Sequence, residues 1–145
     1  MKIGSACGTG KSAMTDEQDV LVDTSAWLQF FAEGDGPVAY AVYRLVREDK
    51  AVVAGPVYAE LLATANSIKQ KETLRRNLLP LRFIADDRRD WELAGTLMSK
   101  FRKKGIRAPL TTSLLSVLCV RHNLAILTLD GHFAPFSDMQ WYTVK

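Results

Sequence analysis

Three carboxylates stand where short apolar runs end. Asp23 follows Val20-Leu21-Val22, Asp130 follows Ala125–Leu129, and Glu60 lies in the opening turns of a helix after Ala51-Val52-Val53-Ala54. Carboxylates crowded into one cleft repel one another, so a cation normally offsets their charge. Oxygen ligands of this kind suit Mg²⁺ or Mn²⁺, with waters and substrate phosphates completing the shell. A metal so held activates water and neutralises charge on a phosphoryl group. No His or Cys cluster has zinc spacing. Each acid also has a structural alternative. Asp23 and Asp130 are of the type that forms turns or caps helices, and Glu60 in PVYAELLATA is of the type that pairs with Arg or Lys, since an unpaired buried charge is costly.

The elements that must position these acids follow from the alternation of short β-branched runs with helical periodicity. Val20–Val22 reads as a strand, and a helix over Ala26–Phe31 follows, capped by Thr24 or Ser25 and stopped at Gly34-Asp35-Gly36-Pro37. A second helix over Val38–Glu48 places Val38, Ala41, Val42, Leu45 and Val46 on one face. Ala51–Ala54 is a second strand, and Gly55-Pro56 opens the helix of Glu60. Lys69–Leu79 is helical and Leu81–Ile84 a short strand. Asp86-Asp87 open a helix over Arg88–Lys104, with Trp91, Ala94, Leu97, Met98 and Phe101 as its buried stripe. Thr111, Thr112 and Ser113 cap a helix over Leu114–His122, and Asn123 follows it. Ala125–Leu129 is a strand, and Trp141–Val144 an edge strand. The pattern predicts an α/β fold, a single-domain three-layer α/β/α sandwich with a mainly parallel central sheet. In such sheets ligands bind beyond the carboxyl ends of the strands, where these acids fall.

The chain's 145 residues, 48% of them hydrophobic and 24% charged, exclude a disordered chain and suit one core. Nineteen Lys and Arg against sixteen Asp and Glu give a net charge of +3, which permits a nucleic-acid partner without requiring one. Two cysteines make no disulfide framework: Cys119 reads as buried and Cys7 as free, which fits a reducing cytoplasm. No apolar run is long enough for a membrane span. Residues 1–19 read as a flexible arm or extension, with the folded body over 20–145 and Met14 as a candidate native start. Gly8-Thr9-Gly10-Lys11-Ser12 resembles the end of a phosphate-binding loop, but Ser5 stands where its first glycine belongs and no buried strand precedes it.

Val20-Leu21-Val22-Asp23-Thr24-Ser25-Ala26-Trp27, Pro56-Val57-Tyr58-Ala59-Glu60-Leu61 and Leu127-Thr128-Leu129-Asp130-Gly131-His132-Phe133 occur in an order and spacing similar to the PIN-domain (PilT N-terminus) family. Within it they resemble the VapBC-type toxin ribonucleases, and the resemblance covers about residues 20–145. It implies a PIN-like α/β/α fold and a Mg²⁺- or Mn²⁺-dependent endoribonuclease with Asp23, Glu60 and Asp130 as metal ligands and catalytic acids. It also implies an RNA substrate, a small antitoxin partner and a homodimer. Where the family carries a further acid, this chain has Thr112, a neutral side chain whose hydroxyl can orient a water or cap a helix. The departure leaves two readings open: a three-acid ribonuclease, or a catalytically impaired RNA- or protein-binding module of the same fold. A nucleotide-binding or response-regulator-like domain also places acids at strand ends, but the body has no identifiable phosphate cradle.

Charge placement offers independent support for RNA. Lys100, Arg102, Lys103, Lys104 and Arg107 crowd around Gly105, and Lys69, Lys71, Arg75 and Arg76 form a second cluster. Either can hold phosphates or simply be a solvated helix face. Arg82 and Arg121 are isolated cations suited to pairing with acids. His132 is either a phosphate contact beside Asp130 or a surface histidine, and Trp27, Phe30 and Phe31 are either core or a partner surface. Restoring the missing charge tests the position of Thr112: Thr112→Asp is expected to raise both divalent-ion affinity, by titration calorimetry, and ribonuclease activity. An unchanged variant removes Thr112 from the ligand position.

Overall fold

The computed structural model describes residues 17–145. The Gly8–Ser12 loop, Cys7, the Met14 start and the arm before Glu17 lie outside the described residues. Strands β1 (Val20–Val22), β2 (Ala51–Ala54), β3 (Arg82–Ile84), β4 (Ala125–Leu127) and β5 (Gln140–Trp141) form one sheet in the order β3-β2-β1-β4-β5. The pairs β1–β2, β2–β3 and β4–β5 are all parallel. Every residue of β1, β2 and β4 is buried. Continuous apolar burial of this kind marks a parallel sheet with both faces covered, and the chain is an α/β fold with helices flanking that sheet.

The helices are α1 (Thr24–Glu33), α2 (Pro37–Arg47), α3 (Gly55–Ala63), α4 (Ile68–Leu78), α5 (Arg88–Lys103) and α6 (Leu110–Arg121). The chain packs as two compact units. One comprises Asp19–Ala85 with Leu127–Leu129 and Thr143–Lys145, and the other Asp86–Ile126 and Asp130–Tyr142 with the segment ending at Gln18. In the first, α1 packs on α2 and α3, and α3 packs on α4. Val20, Leu21, Val52, Val42, Val57 and Leu61 are inaccessible to solvent there. Gly34 ends α1 at φ 71°, and its N–H donates to the Phe30 carbonyl. That left-handed conformation favours glycine. Asp19 pairs with Arg82, a partner of the kind expected for that cation.

In the second unit α5 packs on α6, a helix buried from Thr112 to Cys119. Its serines are tolerated inside because Ser113 Oγ donates to the Pro109 carbonyl at 2.9 Å and Ser116 Oγ to the Thr112 carbonyl at 2.8 Å. Gln18 is buried, and its side-chain amide donates to the Asn123 carbonyl at 3.0 Å.

Several boundaries differ from the sequence expectation. Helix α1 starts at Thr24 with Asp23 as its N-cap, so Thr24 and Ser25 lie inside the first turn with their hydroxyls free for other partners. Helix α6 starts at Leu110 after an extended Pro109, which draws Thr111, Thr112 and Ser113 into its first turn instead of its cap. Strand β4 stops at Leu127 because the next two residues bond to the β1–α1 junction instead of continuing a ladder. The buried stripe of α5 also shifts. Trp91 is 43% exposed, with its indole N–H donating to Asp86 at 2.7 Å, while the inward positions are Asp90 and Ala94.

Asp90 is inaccessible to solvent and fully bonded. Its carboxylate takes Arg121 Nε at 2.5 Å, Arg121 Nη2 at 2.8 Å and the Asp87 backbone N–H at 2.9 Å. Asp87 reciprocates from the N-cap, accepting the Asp90 N–H at 3.1 Å. A capping box thus closes onto a bidentate ion pair that ties the start of α5 to the end of α6. The Arg121 hydrogen bonds hold the Asp90 carboxyl below the usual carboxylate range against the opposing effect of burial. A depressed folded-state pKa contributes stability above the unfolded carboxylate value, and that contribution disappears as pH falls through the folded value. Asp90→Ala is therefore expected to cost on the order of 3 kcal/mol near neutral pH. Denaturant melts of wild type and variant should converge below about pH 4, where the wild type loses this contribution and the variant has none to lose.

Candidate functional site

The unit containing Asp19–Ala85 holds two of the predicted site residues. Asp23 sits at the carboxyl end of β1 and is 6% exposed. Its backbone carbonyl caps α1 by accepting from Ala26 and Trp27 N–H, both at 3.1 Å, while its side chain makes no capping bond. The carboxylate turns instead to two hydroxyls. Thr128 Oγ1 donates to Asp23 Oδ2 at 2.7 Å and Ser25 Oγ donates to the same oxygen at 3.0 Å. Ser25 Oγ also accepts the Leu129 N–H at 2.9 Å, and the Asp23 N–H donates to the Leu127 carbonyl. The segment after β4 is thereby stitched to the first turn of α1.

Glu60 lies exposed in α3, the helix that leaves the carboxyl end of β2. Thr24 Oγ1 donates to Glu60 Oε1 at 2.5 Å. Since Thr24 directly follows Asp23, and β1 and β2 run parallel side by side, the two acids share one rim. Among the described residues no cation lies within ion-pair distance of Asp23 or Glu60, so the Arg or Lys partner considered for Glu60 is not found there.

The other two predicted residues belong to the second unit. Thr112 is buried at the third position of α6, where its carbonyl accepts the Ser116 hydroxyl. It is not the helix cap. Asp130 caps the 3-10 turn Gly131–Phe133, its Oδ1 accepting the His132 N–H at 2.9 Å and lying 2.8 Å from His132 Nδ1. His132 thus lies against Asp130 itself.

The hydroxyls of Thr24, Ser25 and Thr128 are the site features that sequence reasoning missed. Thr24 and Ser25 were visible only as cap candidates, and Thr128 only inside a longer segment. Two carboxylates supported by hydroxyls form an oxygen-only donor set. This fits Mg²⁺ or Mn²⁺, which take one or two carboxylates and leave the remaining positions to waters and substrate phosphates. Among the described residues no three His, Cys, Asp or Glu side chains gather as a ready-made metal cage. Trp27 is core at 2% exposed, stacked on the partly exposed Phe31 with ring centroids 5.7 Å apart. Both basic clusters are exposed, and within them Arg75 pairs with Glu72 at 2.8 Å.

Comparison with known proteins decides the family. The PIN domain model matches residues 20–138. The chain belongs to the PIN-domain family. This PIN domain is 32% identical over 120 residues to Ribonuclease VapC11 of Mycobacterium tuberculosis, covering 79% of this chain and 88% of that one. Its fold is similar to FitAcB from Neisseria gonorrhoeae at a TM-score of 0.69 and 21% identity, covering 85% of this chain and 96% of that one. It is also similar to a toxin–antitoxin complex from Klebsiella pneumoniae at a TM-score of 0.67 and 17% identity, covering 80% and 91%. Among the described residues no helix is long and apolar enough to cross a membrane.

If Thr128 positions the buried acid, Thr128→Val, which keeps the shape and deletes the donor, should destabilise the protein by about 1.5 kcal/mol in denaturant melts. Thr24→Val, at the exposed Glu60, should cost less than about 0.5 kcal/mol.

Proposed function

We propose that this chain is a metal-dependent endoribonuclease that hydrolyses RNA phosphodiester bonds, and that it is the toxin of a toxin–antitoxin pair. The observation that carries the reading is the rim of Asp23 and Glu60 at the carboxyl ends of parallel strands, two acids with no cation beside them among the described residues, Glu60 being held by the hydroxyl of Thr24, the residue next to Asp23. The relative named as a ribonuclease and the structural neighbour named as a toxin–antitoxin complex support it.

Asp23 and Glu60 hold Mg²⁺ or Mn²⁺ in this reading, with Asp130 as the third acid. The ion supplies Lewis-acid activation of water and charge neutralisation at the phosphate. Thr128 and Ser25 fix the orientation of the Asp23 carboxylate, and Thr24 fixes that of Glu60, so neither acid has to be ordered when substrate arrives. Thr112 orients a water through its hydroxyl. Exposed Lys and Arg side chains hold the RNA backbone, and no covalent nucleophile is required. A small antitoxin and a second copy of the chain are the proposed protein partners, in the cytoplasm.

The neutral, buried Thr112 favours a second reading, a catalytically impaired PIN-fold binder of RNA or protein. The two are separated with protein purified free of antitoxin. The ribonuclease reading expects cleavage of single-stranded RNA in Mg²⁺ or Mn²⁺, abolished by chelator and reduced on the order of a hundredfold or more by Asp23→Asn and by Glu60→Gln. Absence of both cleavage and metal binding at millimolar ion overturns it. RNA binding that persists in chelator and survives Asp23→Asn then leaves the binder.

A further inference from the structure

Helix α2 carries a second feature that the two-acid rim does not use. Its inner face is spent on the core, with Ala39, Ala41, Val42 and Leu45 buried. Its outer face presents Tyr40 at 60% exposure and Tyr43 at 48%. Spacings of three and four residues put neighbours on one helix face, so Tyr40, Tyr43 and Arg47 form a continuous line. The two rings stack with centroids 6.4 Å apart and planes 28° from parallel. The Arg47 guanidinium lies over the Tyr43 ring, 5.9 Å from its centroid, and Nη1 donates to the Tyr43 hydroxyl at 3.3 Å.

Large rings left this open are an unusual use of a helix face, because each forgoes the burial that normally justifies an aromatic residue. Glu48 is already paired with Arg44 at 3.5 Å, while Arg47 has no carboxylate partner among the described residues. A flat aromatic face continued by a planar cation matches the chemistry of single-stranded nucleic acid, in which bases stack on rings and the backbone meets positive charge. A duplex keeps its bases stacked within itself and offers such a face nothing to hold.

We propose that the Tyr40–Tyr43–Arg47 line on α2 is a stacking platform for unpaired bases of RNA. The proposal rests on the RNA reading above and adds to it a binding surface. Tyr40 takes a base against its outer ring face, Tyr43 backs that ring from between Tyr40 and Arg47, and Arg47 meets the adjoining phosphate.

The test is equilibrium binding in chelator, so that hydrolysis plays no part in the readout. The probes are a fluorescein-labelled, unstructured 12-nucleotide RNA, a blunt RNA duplex of the same length, and the single strand with abasic sugars. Wild type should prefer the single strand to the duplex and to the abasic strand. Tyr40→Ala and Tyr43→Ala are expected to weaken single-strand binding about fivefold or more each, with little effect on the other two probes. Tyr→Phe at either position should restore it, since the ring and not the hydroxyl acts. Arg47→Gln should lower the slope of log affinity against log salt by about 0.7. A Tyr40→Ala/Tyr43→Ala protein that binds the single strand like wild type overturns the proposal, as happens if the face serves a protein partner instead. Equal losses on all three probes also overturn it, because only backbone contacts would then be involved. Ring-dependent binding by a protein that never cleaves RNA keeps this proposal and removes the ribonuclease reading, whereas cleavage by a protein indifferent to the rings does the reverse.

Discussion

The candidate site is organised by one costly decision, the burial of the Asp23 carboxyl group with neutral hydroxyls as its only described protein partners. A buried acid is tolerated when it is hydrogen-bonded, and Thr128 and Ser25, from two distant parts of the chain, both donate to its Oδ2. The same contacts set local structure. Ser25 accepts the Leu129 N–H, so satisfying Asp23 also ends β4 and directs the chain away from the sheet. Thr24, carried on the next residue of the same turn, reaches Glu60 and links the helix after β1 to the helix after β2.

The two carboxylates of greatest structural interest are treated in opposite ways. Asp90 is closed by a bidentate arginine and a capping box, and every visible feature of it serves stability. Asp23 is oriented by hydroxyls, with no cation beside it among the described residues. A buried ion pair consumes the reactivity of an acid, whereas hydroxyl support preserves it. That difference, more than position at a strand end, separates an acid that holds α5 to α6 from one suited to metal chemistry.

Much of the fold was legible in the sequence because its signals are local. Continuous apolar runs gave the strands, glycine marked the end of α1, and Asp86-Asp87 marked the start of α5. The errors fell where a residue type serves two purposes. Thr24, Ser25 and Thr111–Ser113 all look like caps, yet the caps are Asp23 and Pro109, with the hydroxyls of Thr24 and Ser25 bonded to side chains and that of Ser113 to a carbonyl one turn back. Trp91 looked like core by hydrophobicity, but its indole found Asp86 at the surface. Asp90 was overlooked because a charged side chain on the buried face makes sense only once Arg121 is seen opposite.

By itself, the sequence determined the alternation of strands and helices, the placement of Asp23 and Glu60 after the first two strands, and the presence of a neutral Thr112 at the start of the last helix. These depend on periodicity and chain order, which need no partner. Only the tertiary structure decided that Asp23 would be buried and held by Thr128, more than a hundred residues away, and that Glu60 would be tied to Thr24. The physical reason is that a hydroxyl's partner is chosen by distance in space. A threonine offers the same donor as a cap, a ligand support or a surface group, and packing alone selects among them.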